Sequence, residues 1–254
     1  MTIENHKHRN PYDLDSPEST LFNREIILKK RFLNRLYTEW YNWLICRAKT
    51  CSQGIYLEIG SGGGFLKEMF PGLVTSDVLD LPFVDVVCSA EQLPFADNSL
   101  ACIMMLNVFH HIPRPYLFLE EAQRCLVAGG KILMIEPANS WWGRLIYTRF
   151  HHEPFDPEAG WEISQGNPVS NSNQALPYIY FERDIIYFNE RFPLLRLNYI
   201  RRHSPFLYLV SGGLSYKALL PSAMYGAVRF MERMVSPFNR QLGLFCRIEV
   251  EKIK

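Results

Sequence analysis

The feature that most constrains this chain is Gly60-Ser61-Gly62-Gly63-Gly64, set directly behind the apolar run Ile55 to Ile59 and ahead of Phe65 to Phe70, a stretch that can be helical. Glycines at that point let the backbone turn sharply and approach a ligand, because no Cβ stands in the way. From there to Glu136 short apolar runs alternate with turn residues and helical stretches, which argues for a buried parallel sheet. Ile55 to Ile59, Leu73 to Ser76, Val84 to Cys88, Leu100 to Leu106 and Lys131 to Ile135 read as five strands. Pro115 to Cys125 reads as the helix before the last of them, ended by the turn Gly129-Gly130.

The flanks differ. Ahead of the first strand, Asp15-Ser16-Pro17 supplies a cap and a first-turn proline. Phe22, Ile26, Leu33, Leu36, Tyr37, Trp40 and Leu44 then recur at helical spacing, which predicts one or two amphipathic helices. After Glu136 the alternation is lost. Aromatic residues at Trp141, Trp142 and Tyr147 give way to a polar stretch, roughly His151 to Gln174, expected as a long loop or partly ordered lid. A strand is expected around Leu195 to Ile200, and a helix from Pro221 to about Val235. Finally Leu244, Cys246, Ile248 and Val250 alternate with Phe245, Arg247, Glu249 and Glu251, the pattern of a half-buried strand. The expected organisation is one domain: N-terminal helices over 1–53, a ligand-binding core over 54–137, and a lid and acceptor side over 138–254.

Composition narrows the function classes. The 254 residues, 48% hydrophobic and 21% charged, suffice for one sizeable core. Lys and Arg number 27 against 26 Asp and Glu, so no net field steers the chain onto nucleic acid. The opening residues hold no apolar run that reads as a secretory signal. The uncharged runs Ser204 to Tyr216 and Ala218 to Val228 fall short of the roughly 20 residues a spanning helix needs. The six cysteines form no C-x-x-C pair, so free thiols in a reducing, cytoplasmic compartment are expected.

Spacing sorts the ligand. In a G-x-G-x-x-G dinucleotide frame counted from Gly60 the third position is Phe65, a bulky ring, and no frame supplies a P-loop. What remains is Glu58 at the strand end followed by G-x-G-x-G. This resembles motif I of the class I S-adenosylmethionine-dependent methyltransferases, in particular the broad type 11 group that includes quinone-biosynthesis methyltransferases. Further features line up in order. Asp77 ends the second strand, 17 residues after Gly60, where a carboxylate can accept from both ribose hydroxyls. Ser89-Ala90-Glu91-Gln92-Leu93-Pro94-Phe95 resembles the family's D-A-x-x-L-P-F segment flanking the adenine, and Leu106-Asn107-Val108-Phe109-His110-His111 stands where paired histidines are common. The chain departs from the pattern at Ser89, where the family has Asp, and at Ala101, where an acidic residue is common.

The resemblance covers Ile55 to Glu136. It implies a Rossmann-like α/β fold with a seven-stranded, mostly parallel sheet and an antiparallel C-terminal strand. It implies S-adenosylmethionine as cofactor, held by Glu58, Gly60, Ser61, Gly62, Gly64, Asp77, Ser89, Ala90, Glu91, Leu106 and Asn107. The acceptor is expected over the carboxyl ends of the fourth and fifth strands, near His110, His111 and Glu136. His111, and after it His110, are the candidate base or orienting groups. The reaction expected is O- or C-methylation of a small or lipid-linked acceptor, since the N-P-P-Y of enzymes that methylate planar nitrogens is replaced by Asn107-Val108-Phe109-His110.

Several readings stay open. The rivals are an adenosyl-binding module that transfers nothing and a nicotinamide oxidoreductase. No metal is expected: His151-His152-Glu153 with Asp156 and Glu158 gathers nitrogen and oxygen donors, but without repeat spacing it reads as a solvated loop. Trp141, Trp142, Tyr147, Phe150 and the aromatics from Tyr178 to Phe188 are either core and lid packing or an apolar acceptor pocket. Phe206 to Val235, with Arg201, Arg202, Arg229 and Arg233, suits a helix packed on the sheet or a peripheral membrane contact.

Overall fold

The computed structural model describes residues 10–151, 153–163 and 171–254. Two helices open it, α1 (Pro17–Lys29) and α2 (Arg31–Ala48). The Ser16 hydroxyl accepts the Ser19 amide at 3.2 Å and Pro17 fills the first turn, so α1 starts where its cap signals place it. Then come β1 (Ile55–Ile59), α3 (Leu66–Met69), β2 (Leu73–Asp77), β3 (Val86–Val87), β4 (Leu100–Leu106), α4 (Pro115–Cys125) and β5 (Leu126–Pro137). The second half holds α5 (Trp141–Phe150), α6 (Leu176–Tyr178), α7 (Ile185–Arg191), β6 (Leu195–His203), α8 (Leu207–Ser211), α9 (Tyr225–Met234), α10 (Asn239–Leu242) and β7 (Phe245–Lys252).

The seven strands form one sheet in the order β3-β2-β1-β4-β5-β7-β6. Pairing is parallel from β3 to β5, and β7 runs antiparallel between β5 and β6. The chain reverses direction of travel across the sheet beside β1, and the loops after β1 and β4 meet at that switch point, where open α/β sheets bind ligands. Both faces of the sheet are covered. Ile103, Met105, Ile132 and Met134 pack with α4 and the 176–192 segment, whereas Cys102, Met104, Leu133 and Ile135 pack with α1 and α2. This alternation of buried side chains to both faces explains why β4 and β5 read as continuous apolar runs.

Three expectations need correction. Gly129-Gly130 does not end α4: that helix passes into β5 at Leu126, and the glycines lie inside the strand, Gly129 at φ +76°, beside a register shift against β4. A bulge of this kind needs a left-handed residue, which the glycine supplies. The last strand is covered on both sides. Glu249 and Phe245 are buried, because α2 lies over them: Trp40 packs 4.8 Å from the Phe245 ring and Arg47 pairs with Glu249 at 2.5 Å. The third strand shrinks to Val86–Val87, since Asp85 turns its carboxylate onto the Thr75 amide and hydroxyl (both 2.8 Å) in place of ladder bonds. The six cysteines are free thiols.

Candidate active site

The glycine loop takes the shape its sequence demands. Gly60 and Gly62 sit at φ +64° and +46°, in the left-handed region. Space is as restrictive as angle. A Cβ on Gly60 would lie 2.6 Å from the Val108 side chain, and one on Gly64 would run into the Tyr41 hydroxyl. The loop is tied to β2: the Ser61 amide bonds the Ser76 carbonyl at 3.0 Å, and Asp77 Oδ2 accepts the Gly62 amide at 2.8 Å. Asp77 Oδ1 accepts the Leu79 amide at 3.0 Å. Burial raises the Asp77 pKa, and the amides of Leu79, Gly62 and Val78 work against that shift.

Helix α1 forms a roof over this loop. The Arg24 guanidinium donates to the Gly64 carbonyl, pairs with Glu68 at 2.5 Å and lies 4.4 Å from the centre of the Phe83 ring. Beneath the roof is a cavity of about 350 Å³, within the size range of small-molecule sites. Glu58, Gly60 to Gly64, Leu106, Asn107, His110 and His111 line it, so most of the residues named from sequence are brought together. Asp77 and Ser89 to Glu91 are outside its lining. Asp77 is spent on the loop backbone, the Ser89 hydroxyl accepts the Glu91 amide at 3.2 Å, Ala90 is buried, and Glu91 pairs with Arg114 at 2.6 Å. Glu58 is buried, and desolvation pushes its pKa up to about 8.

At the cavity's other end a side-chain cluster stands over the carboxyl ends of β4 and β5. Glu136, fully buried at the end of β5, accepts the amides of Val108 (2.8 Å) and Phe109 (2.9 Å) through one oxygen. Its other oxygen accepts from His110 Nδ1 at 2.6 Å. His110 Nε2 lies 3.4 Å from Glu153, a residue of the polar stretch. Desolvation disfavours the His110 cation, but Glu136 and Glu153 outweigh it and lift its pKa to about 9. Glu153 is correspondingly held far below the usual carboxylate range: its burial works the other way, and His110 overcomes it. Gln174 Nε2 donates to Glu153 at 2.8 Å and lies 2.8 Å from His151 Nδ1.

The neighbouring imidazole behaves oppositely. Desolvation, with the adjacent His110 charge, lowers the His111 pKa to about 4, so this ring is neutral near pH 7. His111 Nδ1 is 3.3 Å from the Asn171 carbonyl, an acceptor that favours the proton on Nδ1, and its Nε2 lies 3.8 Å from Glu153 Oε1. One side chain is thus a charged, buried anchor and the other a neutral acceptor at the cavity wall.

Sequence reasoning missed three contributors: the roof from α1, with Arg24; Tyr41 from α2 behind the loop; and Glu153. Glu153 was weighed only within His151-His152-Glu153, and the structure joins it instead to His110 and His111. Asp156 and Glu158 turn to one another through a 3.0 Å side-chain to backbone bond, and His152 and residues 164–170 of the polar stretch lie outside the described residues. Among the described residues, His110, His111 and Glu153 are the cluster whose donor atoms, within 4.8 Å of one another, suffice for a cation. Within it the His110 imidazolium lies between two carboxylates, Glu136 and Glu153.

A fit test for an adenosyl ligand comes from unsatisfied atoms. Asn107 stands at φ +56° with its amide bonded to Ile135, and its Oδ1 is buried without a hydrogen-bond partner. Asn107 and Ser61 line the cavity, where Ser61 also bonds the Glu58 carboxyl. Buried polar atoms are nearly always paired in native proteins, so the Asn107 orphan beside the glycine loop suits a polar ligand.

Residues 57–134 match the family described as methyltransferase domain. This segment is a class I methyltransferase domain. A ubiquinone/menaquinone biosynthesis C-methyltransferase of Rubrivivax gelatinosus is 31% identical over 94 residues, 37% of this chain. The chain spans about a third, 35%, of that relative's length. Among solved structures, the geranyl diphosphate C-methyltransferase of Streptomyces coelicolor A3(2), in complex with Mg2+, geranyl diphosphate and S-adenosyl-L-homocysteine, superposes with a TM-score of 0.53 at 13% identity over 97% of this chain and 92% of that one. A geranyl diphosphate methyltransferase in complex with S-adenosylmethionine gives 0.51 at 11% identity, over 95% and 92%. At those identities the likeness concerns the methyltransferase fold, and it extends well beyond the family match into both flanks. No helix among the described residues is long and apolar enough to cross a membrane.

Proposed function

We propose that this chain transfers the methyl group of S-adenosylmethionine to an oxygen or carbon atom of a small or lipid-linked acceptor. The observation that carries the reading is the buried, unpartnered Asn107 Oδ1 in a cavity whose lining runs from the left-handed glycine loop to His110, His111 and Glu153. When bound, S-adenosylmethionine supplies a methyl group on a sulfonium whose departure leaves a neutral thioether. The protein's task is then to position the acceptor and exclude water. Gly60 to Gly64 let the backbone approach, Arg24 and α1 close the roof, and Asn107 offers its carbonyl oxygen to the ligand's donors. At the far end Glu136 fixes His110, His110 holds Glu153, and His111 presents a neutral Nε2. That nitrogen orients an acceptor hydroxyl and takes on its proton as charge develops. A carbon acceptor would use the same group to remove the proton that methylation labilises.

The acceptor is not carried over from the relatives, because the matched segment is the cofactor half of the fold. The walls beyond His111 support an apolar acceptor: Tyr147, Tyr208, Leu214 and Phe245 line the same cavity. Calorimetry is the first test, with micromolar binding of S-adenosylmethionine or its demethylated product expected and its loss in Gly62→Asp. Heat with neither ligand overturns the reading. Labelled methyl transfer into a cell extract, followed by mass analysis, identifies the acceptor. Binding without any labelled product would instead make the chain an adenosyl-binding module.

A further inference from the structure

The near-neutral total charge hides a strong asymmetry. Between Glu190 and Glu249 the only carboxylate is Glu232, whereas the same segment carries Arg191, Arg196, Arg201, Arg202, Lys217, Arg229, Arg233, Arg240 and Arg247. Glu232 faces inward, buried, accepting the amides of Phe206 (2.9 Å) and Leu207 (2.8 Å) and bonding Arg229 at 3.3 Å. Arg229 is neutralised from a second side by Glu39 at 3.1 Å. Lys217, Arg233 and Arg240 remain exposed.

Helix α9 has apolar side chains on both sides: it buries Tyr225 and Val228 with the paired Glu232, and leaves Phe230, Met231 and Met234 exposed beside Arg233. Phe230 and Met234 are 64% and 66% exposed, with Met231 between them and Phe238, 59% exposed, one turn on. Residues 230, 231 and 234 share one face of α9 with Arg233 beside them, and Phe238 and Arg240 follow in the short turns after it. Upstream, Leu219 is 73% exposed at the edge of a groove of about 490 Å³ that Lys30, Arg31 and Lys217 also line. Exposed apolar side chains beside exposed cations, with Glu232 turned inward and Glu39 paired to Arg229, match the interfacial zone of an anionic bilayer. The apolar half of that pattern does not suit nucleic acid.

The groove also follows the cavity closely along the chain. The segment that follows α8 sends Leu214 and Ser215 to the wall of the methyltransferase cavity, and within a few residues Lys217 to Ser222 line the basic groove. We propose that the face made by Leu219, Phe230, Met234 and Phe238 with Lys217, Arg233 and Arg240 seats the protein on an anionic membrane surface. Lying on the bilayer in this way, it would draw a lipid-linked acceptor from the leaflet. This deepens the proposed function and rests on it only for the acceptor's nature.

The test is vesicle flotation of the full chain without S-adenosylmethionine, using phosphatidylcholine alone and phosphatidylcholine with one third phosphatidylglycerol. Binding is expected on the anionic vesicles only, weakened about fivefold by each charge removed in Arg233→Gln and Arg240→Gln. It is expected to be lost in the double variant Phe230→Ser/Met234→Ser. The same variants should keep the wild-type calorimetric affinity for S-adenosylmethionine, which separates failure of the surface from failure of the methyltransferase reading. Absence of flotation on anionic vesicles by a folded, cofactor-binding chain overturns the proposal. So does a concentration-dependent dimer in sedimentation that Phe230→Ser/Met234→Ser abolishes, since the face would then meet a second copy.

Discussion

The two ends of the cavity recognise by different means. At the glycine loop, shape does the work: left-handed angles, absent Cβ atoms and backbone amides held by Asp77. At the His-Glu cluster, charge does it: four ionisable side chains from three segments set one another's protonation. The first kind of site tolerates a change of charge better than a methyl group, and the second the reverse. The difference teaches where a substitution should hurt and by which measurement.

The largest effect is expected at the cluster. Glu136→Ala strips the charge partner of His110 and the acceptor of two buried amides, and breaking a buried pair from one side costs about 3–5 kcal/mol. Urea unfolding should show it, and a loss under 1 kcal/mol would mean that water replaces the carboxylate. Next, His111→Ala should lower methyl transfer about 10²-fold while the calorimetric affinity for S-adenosylmethionine stays within about twofold. Equal losses in both would make His111 a structural residue instead. At the loop, Gly64→Ala places a Cβ against the Tyr41 hydroxyl and 2.9 Å from the Ser61 carbonyl oxygen. A destabilisation of about 1–3 kcal/mol is expected, with weakened cofactor binding. Adding Tyr41→Phe should restore part of both, and no restoration would locate the clash in the backbone.

The smallest expected effect is a slope with pH. His110 titrates at about 9 in the folded chain and at about 6.5 when unfolded, so the native state binds the extra proton between those values. Stability from this group is whole below pH 6.5 and is lost as pH rises through 9. Glu58, held up at about 8, acts in the same direction from about pH 4.5 upward. Below pH 6.5 the depressed His111 and His203 work against Glu58, and above pH 8 Lys30, lowered to about 8, works against His110, so thermal melts should fall between about pH 6.5 and 8, where His110 and Glu58 act together. Glu58→Gln and His110→Gln should each flatten that fall. An unchanged slope in both variants would place the titration elsewhere.

How much of this was readable in advance follows the same division. Ile55 to Ile59 and Leu100 to Leu106 were legible as strands with their observed bounds, because buried parallel strands are apolar on both faces. The loop was legible because few residues tolerate its angles. Glu249 and Phe245 were misread as facing solvent, since two-residue alternation reports polarity and cannot see that Arg47 waits on α2 to pair a buried carboxylate. Glu153 reads as a solvated loop residue because its partners His110 and His111 are more than 40 positions upstream.

By itself, then, the sequence determined the sheet's parallel core and the glycine turn, both local consequences of sterics and hydrophobic periodicity. Only the tertiary structure decided that Arg24 roofs the loop, that adjacent histidines carry opposite protonation, and that Phe230, Met231 and Met234 of α9 stay exposed. Those outcomes depend on burial and on charges meeting across long stretches of chain. Electrostatic energy in a desolvated site depends on distance in space, and residue spacing does not encode it.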